Sequence, residues 1–369
     1  MHQHERTLSS GLAQLRHHVT RRWNRRLTIA GVALFMTVVL WTYGGSALDI
    51  SGLPPDDRLA HKDSTEKTSS YLPQPTAGAH AIENCRSDWR TQNPSADTGS
   101  QIPQKIWQIS LSKQSAKDSV VDPEKLQDTA SWLAMNTDYT YTLVGDKGGK
   151  EFVKSRFADE PKIVELYNSL PNVGMKSDLL RYLILYVEGG VYTDIDTIAL
   201  KPIDTWVPLE LRDQVRMVVG IEFDRRDGGP WADIPHWLQF CQWTIAAAPG
   251  HPVFRKMAAR ALESMNALSD EHGIPVRKLK PTSFEVMNST GPAAWTDVVF
   301  EQLQEYDPTL NTTKDLSFMT ESKLYGDILV LTIDGFGMGQ AHSESTNDGS
   351  IPEVALAKHL FRGSWRHDN

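Results

Sequence analysis

Apolar and polar positions change period several times along this chain, and each change predicts an element. Residues 102–109 (IPQKIWQI) alternate, the pattern of a first strand. Residues 123–135 read as a short helix, 139–144 as the next strand, and 152–168 as a helical stretch despite Pro161. Over 177–188 the apolar residues fall at 179, 180, 183, 184 and 187, the spacing of a buried helix face, with Ser177 or Asp178 as its cap. Gly189-Gly190 ends that helix. Residues 191–196 (VYTDID) then run on as a strand, and 215–222 form another. Strands alternating with helices predict an α/β fold: one mostly parallel sheet flanked by helices, with the site at strand ends.

The first hundred residues break this rhythm. Residues 27–43 (LTIAGVALFMTVVLWTY) carry no charge, and Arg21, Arg22, Arg25 and Arg26 stand just before them. A bilayer core takes roughly 20 apolar residues and about 17 at the short end, so this segment suits a thin membrane. The arginines predict a cytoplasmic tail over 1–26, with Trp41 and Tyr43 at the far interface. A cleaved signal peptide ending at Gly45-Ser46-Ala47 is the rival reading. Residues 44–100 are rich in Pro, Ser, Thr, Asp and Gly, the composition of a stem. A catalytic domain over 101–369 follows.

Composition adds limits. The chain has 369 residues and a net charge of −8, which argues against a nucleic-acid binder. Its two cysteines, Cys85 and Cys241, make neither a disulfide framework nor a zinc site; they can form one bridge or stay free. Asn288 and Asn311 head glycosylation sequons, used only in a secretory compartment.

The chemistry concentrates in residues 177–203, SDLLRYLILYVEGGVYTDIDTIALKPI. On a strand, Asp194 and Asp196 point to one face. Two such carboxylates suit a hard cation, Mn²⁺ or Mg²⁺, which can neutralise a departing diphosphate. A three-residue DxD arises by chance in many proteins, and its neighbours give it weight. Val191, Ile195 and Ile198 are expected to bury the strand, so carboxylates there need partners. Asp178 and Arg181, three apart on one helical face, stand just before the Gly-Gly turn into it.

This stretch resembles the fungal initiation-specific α-1,6-mannosyltransferases, within the wider group of DxD-containing sugar transferases. The likeness runs over roughly residues 101–366 and takes in IPQKIWQ (102–108), VVGIEFD (218–224), LQFCQWTIAAAPGHPVF (238–254), STGPAAWTD (289–297) and HLFRGSW (359–365). The resemblance implies a GT-A-type, Rossmann-like nucleotide-sugar fold in a type II Golgi membrane protein with its catalytic domain in the lumen. It implies Trp107 on the nucleobase side of the donor, Asp178 and Arg181 on the transferred sugar, and Tyr192 near the ribose. Asp194 would bind ribose, sugar or metal, Asp196 would ligate the metal, and His359 would complete the metal site. Ser364 and Trp365 would close over the diphosphate. On the acceptor side it suggests Glu222, Gln242 and Asp297, with Gln239, Gln242 and Trp243 on a helix. Gly291, Pro292, Trp295 and Thr296 would shape the groove, and Gln340 and His342 would be loop contacts near the donor.

The implied activity is metal-dependent, retaining transfer of α-1,6-linked mannose from GDP-mannose to N-glycans of mannoproteins, alone or beside other mannosyltransferase subunits. No residue offers itself as an in-line nucleophile, so front-face substitution is expected, with the leaving diphosphate accepting the acceptor's proton. Two alternatives differ in kind: a mannosyltransferase acting on inositol phosphorylceramide, and a non-catalytic subunit of a transferase complex. The first typically carries further hydrophobic spans, and none follows residue 43 here.

Overall fold

The computed structural model describes residues 101–111, 127–231 and 234–362. The expected anchor at 27–43, the stem, Cys85, Ser364 and Trp365 lie outside them. No helix among the described residues is long and apolar enough to cross a membrane.

The first strand, β1, is Lys105–Ile109. After α1 (Thr129–Met135), β2 (Thr140–Val144) pairs with it in parallel. The single helical stretch expected over 152–168 is two helices, α2 (Asp146–Arg156) and α3 (Pro161–Ser169). Pro161 opens the second, because a proline tolerated at a first turn breaks a helix interior. Next, α4 spans Val173–Glu188 and begins earlier than expected. Its cap is Asn172, whose side chain accepts from Met175 N at 3.2 Å, and not Ser177 or Asp178. Asp178 is thereby left free to pair with Arg181 in the second turn.

Gly189 closes α4 with φ +62° and its N–H on Leu185 O, and Gly190 follows at φ +98°. A Cβ on Gly190 would stand 2.6 Å from Lys105 O. Gly190→Ala is therefore expected to lose roughly 1–3 kcal/mol from backbone strain alone, read as a lowered denaturation midpoint. An unchanged midpoint would show that β1 can give way there.

The main sheet continues through β3 (Gly190–Thr193), and a short β4 (Thr197–Ala199) leaves it. Then come β5 (Met217–Asp224) and β6 (Leu238–Ala247). Helices α5 (Pro252–His272), α6 (Ser283–Ser289) and α7 (Pro292–Tyr306) follow. The chain closes with β7 (Lys323–Tyr325), β8 (Ile328–Val330), α8 (Ile333–Phe336) and β9 (Ala357–His359). The seven-stranded sheet has the order β2-β1-β3-β6-β5-β8-β7. Five strands run one way; β6 and β7 are reversed. This is the mostly parallel α/β sheet expected, with β4 and β9 as a separate two-stranded ribbon.

The segment 238–247, expected to be helical, is β6. All ten of its residues are buried, since it is the central strand and is covered on both faces. Its polar residues Gln239, Gln242 and Thr244 are buried with the rest, so they mark no solvent face, and their spacing of three and two gives no strand period. On one face Leu238, Phe240 and Ile245 join Trp107, Tyr192 and the apolar sides of α4, α5 and α7. On the other, Cys241, Trp243 and Ala246 join Trp132, Trp206 and Phe336. Cys241 is a free, fully buried thiol, and burial pushes it well above the ordinary cysteine range.

Candidate active site

The Asp194-Ile195-Asp196 triplet is a tight turn rather than strand. β3 stops at Thr193 and β4 starts at Thr197, so the two carboxylates converge through the turn and not through strand alternation. Ile195 and Ile198 are only half-buried, whereas Val191 is fully buried. The backbone of the turn is fixed on all sides. Asp194 N–H donates to Trp243 O at 2.9 Å, and Asp194 O accepts from Gln108 Nε2 at 3.0 Å and Thr197 Oγ1 at 2.6 Å. Thr193 Oγ1 meets the hydroxyls of Thr197 and Thr244 at 2.7 and 2.8 Å.

Pairing of β4 with β9 sets Thr197 opposite His359 and brings that histidine to the turn. His359 Nε2 lies 3.2 Å from Asp196 Oδ1 and 3.7 Å from Asp194 Oδ2. The chain just past β9 wraps the same aspartate: Leu360 N–H donates to Asp196 O and Arg362 N–H to Asp196 Oδ2, both at 2.9 Å. Trp243 stacks on the His359 ring, centroids 4.9 Å apart and planes 27° apart, which fixes the imidazole's orientation.

Charge follows from this geometry. Burial alone would lower the His359 pKa; hydrogen bonds and charge from Asp194 and Asp196 outweigh it and raise it to about 9. Burial would likewise raise Asp196, but His359 and the Arg362 N–H hold it below the usual carboxylate range. With its ring protonated, His359 is the cation between two carboxylates; as neutral imidazole its Nε2 could serve as a metal ligand. One ligand atom from each of Asp194, Asp196 and His359 lies within 4.8 Å of the others. Two carboxylate oxygens and one imidazole nitrogen fit a divalent cation such as Mn²⁺.

Behind this cluster sits a second one, formed from α4. Arg181 Nη2 donates to Asp178 Oδ1 at 2.8 Å, and Nη1 donates to Asp194 Oδ1 and Gln242 O, both at 3.2 Å. Its guanidinium lies over the Tyr192 ring, 4.6 Å from the centroid, while Tyr192 Oη donates to Asp194 Oδ1. Thr290 Oγ1 donates to the remaining Asp178 oxygen at 3.0 Å. Burial pushes the Asp178 carboxyl up to about 6, against the pull of Arg181 and Thr290. Burial also opposes the charge on Arg181, but Tyr192, Asp194 and Asp178 outweigh it and raise the guanidinium's pKa.

Asp178, Arg181, Tyr192, Asp194, Asp196 and His359, expected at donor and metal, thus form one continuous cluster, in which Asp178, Arg181 and Tyr192 are buried behind the aspartate turn and Tyr192 spends its hydroxyl on Asp194. Other assignments change. Trp107 is in the core, 5% exposed, its indole N–H donated to Gly189 O at 2.8 Å; it ties β1 to the end of α4 and presents no face to a nucleobase. Gln242 is buried on β6 and its amide is committed to Tyr182 Oη and Thr290 O, so it braces the site from behind. Asp297, on α7, faces His236 and Arg260 at 2.7 and 3.2 Å instead of the DxD turn. Trp295 and Thr296 are fully buried core residues of α7 and line no groove. Glu222, half-buried on β5, accepts from Gln239 Nε2 at 3.3 Å. Thr290 and the Arg362 N–H were missed. Thr290 stands inside the STGPAAWTD stretch but follows from no spacing rule, and a backbone donor has no sequence signal.

A family model described as "glycosyltransferase sugar-binding region containing DXD motif" matches residues 123–213. An initiation-specific α-1,6-mannosyltransferase of Candida albicans is 32% identical over 292 residues, 74% of each chain. Its Schizosaccharomyces pombe counterpart is 38% identical over 274 residues, covering 72% of this chain and 64% of that one, just short of two thirds of its length. Among solved structures, the PaToxG glycosyltransferase is 19% identical with a TM-score of 0.35, over 56% of this chain and 72% of that one. Similarity at that level adds nothing to the two sequence relatives.

Proposed function

The chain belongs to the family of initiation-specific α-1,6-mannosyltransferases, and from that premise we propose that it is a metal-dependent, retaining transferase moving mannose from GDP-mannose to an N-linked glycan. The observation that carries this reading is the convergence of Asp194, Asp196 and His359 in front of the buried Asp178–Arg181 pair. A bound Mn²⁺ or Mg²⁺ would be held by those three residues and would neutralise charge developing on a leaving diphosphate.

The protein's own groups do the positioning. Arg181, held by two carboxylates and a carbonyl, fixes Asp194 through Oδ1, while its Oδ2 faces His359. Asp178 and Asp194 are each bonded to Arg181 and to a hydroxyl, so neither is a free nucleophile for the sugar. That supports front-face substitution, with the acceptor's proton passing to the departing phosphate and the protein contributing orientation and charge.

The basic run before residues 27–43 supports placement as a type II protein with the described domain in the Golgi lumen. The sequons give this a local test. Asn311 is exposed in a loop. Asn288 is half-buried within α6, its amide donated to Phe284 O, and Thr290 of its sequon is buried against Asp178. On expression through the secretory pathway, Asn311→Gln should remove a glycan-dependent gel shift and Asn288→Gln should not. A protein carrying no glycan at Asn311 would count against the luminal placement.

The decisive assay is transfer itself: the full chain, GDP-mannose, Mn²⁺ and a mannose oligosaccharide, with product linkage read by NMR. No turnover of any nucleotide sugar would overturn the reading in favour of a binding role.

A further inference from the structure

An aromatic strip leads outward from His359, and no step above uses it. Phe361 stands edge-on to the His359 ring with centroids 4.0 Å apart, and 41% of it is exposed. His342 lies 6.5 Å further, again edge-on, and Trp231 stacks on His342 at 5.1 Å with 27° between planes. Trp231 is 50% exposed. These rings come from three separate segments: the connection from β5 to β6, the loop after α8, and the chain just past β9. Each segment also holds one non-glycine residue in the left-handed region, Arg226 at φ 46°, Glu344 at φ 62° and Phe361 itself at φ 50°. Backbone held that way is characteristic of ligand clamps. Two residues before His342, Gln340 is 3% exposed, yet neither end of its amide has a hydrogen-bond partner among the described residues.

Exposed aromatic rings lined up beside a reaction centre are the chemistry of carbohydrate recognition, because they cover the apolar face of a pyranose. We propose that Trp231, His342 and Phe361 form the stacking platform for the acceptor glycan, with Trp231 meeting a sugar beyond the one that reacts. The proposal rests on the transferase reading above. A nucleobase is the other flat ligand to weigh. Its sites are enclosed and read the ring edge with polar groups, whereas this strip is open to solvent at both ends, Phe361 and Trp231 being exposed with His342 half-buried between them. An oligosaccharide extends outward over such a surface; a nucleoside tethered to the diphosphate does not need to.

The test compares full-length wild type, Trp231→Ala and Trp231→Phe, with Phe284→Ala as an exposed aromatic elsewhere. In transfer assays Trp231→Ala should raise the acceptor KM by roughly tenfold and leave the donor KM and metal-dependent donor hydrolysis within about twofold. Trp231→Phe should recover most of the loss, and Phe284→Ala should change nothing. In a second arm, quenching of tryptophan fluorescence by a mannose oligosaccharide without donor should be lost in Trp231→Ala. A raised donor KM with an unchanged acceptor KM would assign the strip to the nucleotide and overturn the proposal. Undiminished oligosaccharide binding by Trp231→Ala would overturn it too. Failure of the wild type to turn over any nucleotide sugar would sink the transferase reading alone, because the binding arm still reports on the strip.

Discussion

Asp196→Ala is expected to cut sugar transfer by roughly a thousandfold or more while leaving the fold in place. The size follows from what the side chain holds. One oxygen faces His359 Nε2 and the other accepts the Arg362 N–H, so a single carboxylate links the histidine to the chain segment just past β9. The fold should survive because Asp196 sits in a turn on a half-open rim, 18% exposed, and contributes nothing to either core cluster. Asp196→Asn sharpens the result: it keeps an acceptor for the Arg362 N–H and loses the charge, so an equally severe loss assigns the effect to cation binding. Chelation of the wild type should reproduce the defect, and Mn²⁺ should reverse it; in Asp196→Ala, Mn²⁺ should restore little. Full activity in Asp196→Ala would end the metal assignment.

What the chain announced of this site, and what it hid, divides along physical lines. The apolar spacing of 179, 180, 183, 184 and 187 correctly foretold a buried helix, and Gly189-Gly190 its end, because local periodicity and backbone freedom are written residue by residue. The start of α4 was hidden by Asn172, a cap six residues before Asp178 in a stretch with little apolar rhythm. β6 reads as a helix because its polar residues, Gln239, Gln242 and Thr244, are buried with their neighbours and follow no alternation. The two aspartates converge for another local reason than the expected one: strand alternation would aim both to one face, and a tight turn brings them together instead. His359 was reachable only through resemblance, since its approach depends on β9 pairing with β4 across the whole domain. Trp107 shows the converse error. A tryptophan in a first strand can line a ligand or fill a core, and only the structure puts its indole N–H on Gly189 O.

Arg181→Met is expected to produce the largest loss of stability of any single change at the site. The guanidinium is 7% exposed and serves two carboxylates, Asp178 and Asp194, besides the Gln242 carbonyl. Deleting the cation leaves the buried Asp178 without its ion partner, which costs about 3–5 kcal/mol while that carboxyl stays charged. Against a total of roughly 5–15 kcal/mol for a domain, that should lower the melting midpoint by roughly 10 °C. Arg181→Lys should recover only part of it, because a lysine cannot span two carboxylates and a carbonyl with a planar fork. The pH dependence distinguishes this cause from simple loss of packing. In the wild type Asp178 titrates at about 6, above the value of about 4 for an unfolded chain, so its contribution to stability is present at acid pH and lost as pH rises through that window. Removing Arg181 takes away the chief group opposing that rise, so Asp178 takes up its proton at still higher pH. A neutral carboxyl needs no cation. The gap between Arg181→Met and wild type should therefore be widest near neutral pH and narrow toward pH 5 as Asp178 protonates. A gap that stays constant across that range would trace the loss to the guanidinium's packing against Tyr192 and not to charge.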